Sequence, residues 1–433
     1  MKLVIKGTIG PIQKTPEDGI EIAPFTVLIG KQGTGKSILS QLVYLFRNID
    51  FLSRYYTRPG SEYEEESAQE KKTDLTDNQY KQLVRKCLNS LRSKSSTFLS
   101  LLGGEETKIL WPDNSSTSFS LTIKRYEAGT NPNSIQVTPN KHLKAFIKKA
   151  NANPPTQSDR NGSAIFIPAE RIVLSHIYRQ ADYLSFPDIL AFFGDALIDA
   201  ALLLEPDALD QENILASGQE ALANAKRLKL IRDEIAQISE RTLNGRPLRQ
   251  GDRWRWQVNK KTTFALDMAS SGQKANWSIF LLAQAVLYWK QIGQLPPDFA
   301  LHVEEPEIHL HPEAQRDVMR ILVMLANAGI HVLVTTHSLT SLYVINNMMI
   351  KYKKYGSEWA EEHPDEAIDP QIVAAYHCTP INADGTGGEV VSILSREAGF
   401  INEAELGHVN DALGNEFYRL MGEDDDEENG EEA

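Results

Sequence analysis

Cysteine is nearly missing from this chain. Of 433 residues only Cys87 and Cys378 are cysteines. They stand almost 300 positions apart with no Cys-x-x-Cys or Cys/His cluster near either, which excludes a disulfide framework and a structural zinc site. Long apolar runs are missing too. The longest are broken stretches such as Phe280–Tyr288, well below the roughly 18 to 20 residues of a membrane-spanning helix. Met1–Gly7 has too short an apolar core for a secretion signal and reads as a first strand, so a cytoplasmic protein without membrane contact is expected. Nor is there an excess of positive charge: 45 Lys and Arg against 58 Asp and Glu give −13. The segment Glu423–Glu432 holds eight of the negatives and leaves −5 for the remainder. A block of like charges repels itself, so residues 423–433 are expected as a disordered tail, and net charge decides little about partners. The rest, with 41% hydrophobic and 24% charged residues, is globular in composition and longer than one ordinary domain.

Strand-like pieces at Leu3–Lys6 and Phe25–Ile29 lead into a glycine-rich loop and an apolar-periodic helix over Ser37–Arg47. Residues 56–96 are polar and read as a solvated insertion with a helix over Asn78–Arg92. Alternation at Ser118–Arg125 and Ser134–Thr138, around the turn residues Gly129–Asn133, predicts a hairpin. Ala164–Ile167, closed by Pro168, is a short buried strand. Helices follow over Pro187–Leu204 and over Gln219–Leu243, where Leu222, Ala225, Leu228, Ile231, Ile235 and Ile238 recur at helical spacing. Strand and helix then alternate: Phe264–Met268, Ala275–Gln291, Ala300–Val303, Glu313–Ala328, His331–Thr335. Strands alternating with covering helices predict an α/β fold with a mostly parallel sheet. Two more strands, Ile372–His377 and Glu389–Leu394, and a closing helix are expected in a C-terminal α/β extension over 346–422.

Four elements carry chemistry. Gly30-Lys31-Gln32-Gly33-Thr34-Gly35-Lys36-Ser37 fits G-x-x-x-x-G-K-[S/T] between a strand and a helix, the context that motif requires. Backbone N–H groups of such a loop wrap a phosphate, Lys36 reaches the β/γ-phosphates and the Ser37 hydroxyl completes a Mg²⁺ shell. Phe299–Glu307 is an apolar strand running into carboxylates, where Glu304 suits a metal ligand and Glu305 a base that polarises water. Glu307 alone reads as a solvated helix start. Ser270-Ser271-Gly272-Gln273 opens the next helix and offers either a cap or a second anion site. Strand Val332–Thr336 ends at His337, placed to reach a terminal phosphate or the attacking water. His309 and His311 read as local capping and packing residues.

Together these elements resemble the ATP-binding-cassette (ABC) type of P-loop ATPase head shared by RecF, SMC and overcoming-lysogenization-defect (OLD) proteins. The resemblance spans residues 1–50 and 160–345. It implies a mostly parallel central sheet with an antiparallel β subdomain, an inserted region at 51–159 and a helical subdomain at 171–250. It also implies ATP and Mg²⁺ as cofactors, with Gly30, Gln32, Gly33, Thr34, Gly35, Lys36, Ser37 and Ile38 at the nucleotide. Ser270, Ser271, Gly272 and Gln273 correspond to the signature that completes a partner's site, Ser37 and Glu304 to the metal site, and Glu305 and His337 to catalysis. The wording Glu305–Pro312, with Pro168-Ala169-Glu170-Arg171, looks most like stand-alone ATPases of prokaryotic anti-phage defence. The stretch from Ser37 to Ser270 is too short for long coiled-coil arms, and no cluster of acids suggests a TOPRIM nuclease.

The expected function is an ATP-gated switch, a head-to-head dimer or higher homo-oligomer, that controls a separate nuclease or toxin. The alternative is a RecF-like repair ATPase on DNA. Its support is Arg241–Lys261, with seven basic residues, one acid and the interleaved Trp254 and Trp256. The competing reading of that segment is a solvated hairpin with both tryptophans folded inward. A transporter subunit fits neither the Glu305–Pro312 wording nor the long central insertion.

Overall fold

The computed structural model describes residues 1–57, 75–91, 106–112, 118–125, 135–152, 162–176, 188–204, 219–251, 253–381 and 387–402, with 415, 416 and 419 beyond. The acidic tail and the hairpin turn at 129–133 lie outside the described residues. The chain opens with strands β1 (Lys2–Lys6), β2 (Ile12–Lys14), β3 (Ile20–Glu21) and β4 (Phe25–Gly30), then helices α1 (Lys36–Arg47) and α2 (Ile49–Thr57). Next come α3 (Asp77–Asn89), β5 (Glu106–Pro112), β6 (Ser118–Arg125), β7 (Ile135–Pro139) and α4 (Lys141–Ala152). β8 (Ala164–Ile167) is followed by α5 (Asp188–Leu203) and α6 (Gln219–Leu243). The last part runs β9 (Arg246–Gln250), β10 (Arg253–Asn259), β11 (Thr262–Ala265), α7 (Ser271–Gln291), β12 (Ala300–Glu304), α8 (Pro312–Asn327), β13 (His331–Thr336), α9 (Leu339–Glu362), β14 (Val373–Pro380) and β15 (Gly388–Ser392).

The central sheet has the order β2-β15-β14-β4-β13-β12-β8. From β14 to β8 every neighbour pair is parallel, while β15 joins β14 antiparallel and β2 closes the edge. These strands are mostly apolar and buried: all six residues of β4 are buried, as expected of a parallel sheet covered on both faces. This is an α/β fold with a mostly parallel central sheet, as expected. β14 and β15 come from the stretch expected to form a C-terminal extension, but they pair into the central sheet beside β4.

A second, antiparallel sheet, β3-β1-β5-β6-β7, is drawn from both ends of the first 140 residues. The expected hairpin is present as β6 paired with β7. Residues 58–74 and 92–96 lie outside the described residues; over Asp77–Asn89, helix α3 corrects the reading of 56–96 as solvated. Its composition is polar, yet Tyr80, Leu83, Val84, Cys87 and Leu88 are buried along one face, because a helix needs only an apolar stripe to dock. A capping box between Thr76 and Gln79 fixes its start. α6 lies along α7, burying Ala225, Leu228, Ile231, Ile235 and Ile238, while Leu222 at its first turn is 37% exposed. The strand expected over Phe264–Met268 is shorter: β11 ends at Ala265 and Leu266–Met268 form a 3₁₀ turn. Among the described residues no helix is long and apolar enough to cross a membrane.

Candidate active site

Register decides what meets at the carboxyl edge of the central sheet. Thr335 pairs with Glu304 on one side and with Leu28 on the other, and Cys378 pairs with Gly30. The ends of β4, β12 and β13 therefore lie side by side, and Gly30, Glu304 and His337 emerge together where α/β sheets bind ligands. Gly30 has φ +152°, and a Cβ there would stand 2.1 Å from the Cys378 carbonyl oxygen, so no other residue fits beneath the loop. Helix α1 begins after Gly35 with no side-chain cap, which leaves its first N–H groups for an anion. The loop and the strand ends enclose a cavity of about 740 Å³, in the size range of small-molecule sites.

Gln32, Gly33, Gly35, Lys36, Ser37, Ile38, Glu304, Glu305 and His337 all line this cavity. Gly30 and Thr34 act from beneath it: the Gly30 carbonyl accepts from Lys36 Nζ at 2.8 Å, and Thr34 Oγ1 donates to the Lys31 carbonyl at 2.7 Å, closing the loop. Lys36 Nζ also donates to the Lys31 carbonyl at 2.8 Å and lies 3.4 Å from His337 Nδ1. The ammonium is 5% exposed as a residue, and burial holds its pKa below the usual lysine range against the pull of Cys378 and the carboxylates.

His337 Nε2 lies 3.0 Å from Glu305 Oε1. With Lys36 donating to Nδ1, the neutral Nε2–H tautomer satisfies both contacts. The bond from His337 holds the Glu305 carboxyl below its ordinary range, more than burial raises it, so Glu305 is an ionised acceptor at neutral pH. Its backbone is left-handed, φ +44°, a conformation that a non-glycine residue holds only when its surroundings impose it. Its N–H donates to the Thr335 carbonyl at 2.8 Å.

Glu304 is 4% exposed. Burial pushes its carboxyl up to about 7, with the Ser37 hydroxyl as the main opposing influence. The Ala169 N–H donates to Oε2 at 3.3 Å, while Oε1 is buried without a hydrogen bond. An orphaned carboxylate oxygen beside a serine hydroxyl, both facing the loop, is a donor set that fits Mg²⁺, a hard cation bound by oxygen and water. Ser37 and Glu304 would hold it. When bound it would neutralise charge on the β/γ-phosphate oxygens.

A carboxyl whose folded pKa is about 7, against 4.5 ordinarily, stabilises the fold below the unfolded value and loses that contribution as pH rises through about 7. Between pH 5 and 8.5 in chelator, wild type should lose on the order of 3 kcal/mol relative to Glu304→Gln. Parallel stability profiles in denaturant titrations would contradict the assignment.

Two side chains beside the cavity were not placed there by the sequence. Glu307, read as a solvated helix start, lies in a turn and accepts at Oε1 from Thr336 Oγ1 and from the His337 N–H, both at 2.7 Å, so it fixes the backbone that carries His337. Arg171, a residue type expected at the surface, is wholly buried behind Glu304 and Glu305. The sequence Pro168–Arg171 was the only signal for it. His309 is exposed, and His311 stands at the N-cap of α8 without a side-chain capping bond.

Ser270 to Gln273 do not line the cavity. Ser270 is the N-cap of α7 and forms a capping box with Gln273, whose Nε2 also donates to the Leu243 carbonyl at 2.7 Å. These two side chains are occupied within their own chain; Ser271 is exposed. A Cβ on Gly272 would come 2.8 Å from the His309 carbonyl, so glycine is what lets the helix start lie against the turn after β12. In the basic segment, Trp254 and Trp256 are buried, Trp254 against Trp277 with centroids 4.4 Å apart. Both tryptophans face inward, as the solvated-hairpin reading has it, so neither ring is offered for stacking.

Among solved structures the chain is similar to an SMC head bound to the C-terminal winged-helix domain of ScpA, at 13% identity with 92% of this chain and 98% of that one covered and a TM-score of 0.43. It is similar to the SMC head domain from Thermotoga maritima at 12% identity, with 91% and 98% covered and a TM-score of 0.36. No curated protein sequence matches it. The sequence model of the family described as AAA ATPase domain matches residues 17–340, about three quarters of the chain, from ahead of β4 to past His337; the chain belongs to this family of P-loop ATPases.

Proposed function

We propose that this chain hydrolyses ATP as a switch whose two copies close head to head, each completing the other's nucleotide site. In closing it controls a separately encoded effector, a nuclease or toxin of a prokaryotic anti-phage defence system. The observation that carries the pairing is the position of Ser271 and Gly272. They stand exposed or half-exposed at the start of a 21-residue helix, outside the cavity that holds Lys36 and Glu305, so their N–H groups serve no phosphate bound there by the same chain.

Within the cavity, Lys36 binds and orients the phosphates, Glu305 accepts the proton of an attacking water, and His337 orients Glu305 and faces the terminal phosphate. The defence affiliation is supported by the wording of Pro168–Arg171 and Glu305–Pro312, the residues that build the catalytic turn. The DNA-loading alternative lacks aromatic support, since Trp254 and Trp256 are buried.

Ser271→Arg tests the pairing. A bulky cation at the helix start should block ATP-dependent association and reduce turnover at least 100-fold while leaving nucleotide affinity within about twofold. Wild-type turnover by this variant would return Ser271 to an ordinary helix-start role. For the effector, ATP-dependent co-purification with the product of an adjacent nuclease or toxin gene is the expected result, and a repair operon around the gene would contradict it.

A further inference from the structure

Arg171 is wholly buried and touches neither phosphate site nor cavity. Its five N–H groups meet five acceptors. Nε donates to the Ala275 carbonyl at 2.6 Å, Nη1 to the carbonyls of Pro168 at 3.2 Å and Glu304 at 2.6 Å, and Nη2 to Asn276 Oδ1 at 3.2 Å and the Glu305 carbonyl at 2.9 Å. None of these acceptors is a carboxylate, although the charges of Glu307, Glu304, Glu305 and Glu170 lie near enough to favour the cation. A buried guanidinium persists when every donor is matched, and the fork then fixes the relative positions of what it bonds.

Asn276, also wholly buried, extends the network. Its Nδ2 donates to the Gly272 carbonyl at 3.1 Å and to the Ile308 carbonyl at 2.8 Å. One connected set of bonds therefore spans the left-handed Glu305 turn, the turn that follows it and the first turn of α7. Burial lowers Arg171 to about 10, which still leaves it cationic at neutral pH.

The geometry points to Arg171 and Asn276 as positioning residues that hold Glu305 in its catalytic pose and tie that pose to the helix start carrying Ser271 and Gly272, so that nucleotide state at one site reaches the face offered to a second copy. This rests on the proposed function. Wild-type turnover and its loss in Lys36→Ala are measured first: their failure would sink the proposed function and this inference with it, whereas wild-type turnover by the variants below would sink this inference alone.

The test uses two variants of the full chain. Asn276→Asp keeps the acceptor for Arg171 and removes both donors to Gly272 and Ile308; Arg171→Lys keeps a cation with three donors in place of five. Both should bind ATP within about twofold of wild type by calorimetry and turn over about 100-fold more slowly, as a small misplacement of a reacting group allows. In the Glu305→Gln background Asn276→Asp should also abolish ATP-dependent association. Unchanged turnover overturns the proposal. Turnover lost with association intact overturns the coupling, and melting temperature, affinity and turnover falling in step in both variants would reduce the network to a structural staple.

Discussion

Lys36→Ala should lose ATP binding, with affinity lower by 100-fold or more. Nζ is the cation placed in the loop, 2.8 Å from two loop carbonyls and 3.4 Å from His337. In the proposed nucleotide complex those donors would turn to phosphate oxygens, with Lys36 itself 5% exposed. Removing one partner of a buried, hydrogen-bonded charge pair costs about 2 to 5 kcal/mol, and 100-fold is just under 3 kcal/mol. Calorimetry with ATP and Mg²⁺ measures it, with circular dichroism to show that the sheet has formed. Unchanged affinity would remove the phosphate-binding role from this loop.

Glu305→Gln should bind ATP normally and hydrolyse it 10² to 10⁴ times more slowly, about the contribution of a positioned base. The amide keeps the size of the side chain and its contact with His337, and cannot take up the proton of water. Glu304→Gln is expected to differ in kind, weakening the dependence on Mg²⁺, because Glu304 sits buried against Ser37. Full turnover by Glu305→Gln, measured by phosphate release, would pass the base to another group, with Glu304 the next candidate.

The legible part of the site was the part built from consecutive residues. A phosphate loop needs successive backbone N–H groups, so Gly30–Ser37 must appear as one string, and β4 and α1 flank it as the motif requires. Helix α6 was legible to the residue, Gln219–Leu243, since a 3.6-residue period repeated over seven turns leaves little ambiguity. What could not be read depends on register across the chain. Nothing near residues 373–392 says that β14 lies against β4, some 350 residues away. Glu307 read as solvated because charge predicts exposure, and Arg171 could not be placed from sequence; only the fold supplies the Thr336 hydroxyl, the His337 N–H and the carbonyls of Glu304 and Glu305 that satisfy them. At Ser270 and Gln273 the spacing suited a cap and an anion site alike, since both draw on the same unsatisfied N–H groups, and the two side chains form a capping box.

The central claim, that each nucleotide is completed by two copies, is tested most directly by the mass of Glu305→Gln in solution with and without ATP. Sedimentation or small-angle scattering at low micromolar chain concentration should show a doubling on addition of ATP and Mg²⁺, absent with ADP and absent in the Glu305→Gln, Ser271→Arg double variant. A mass that stays monomeric at saturating ATP, alongside calorimetry showing the nucleotide bound, would contradict it.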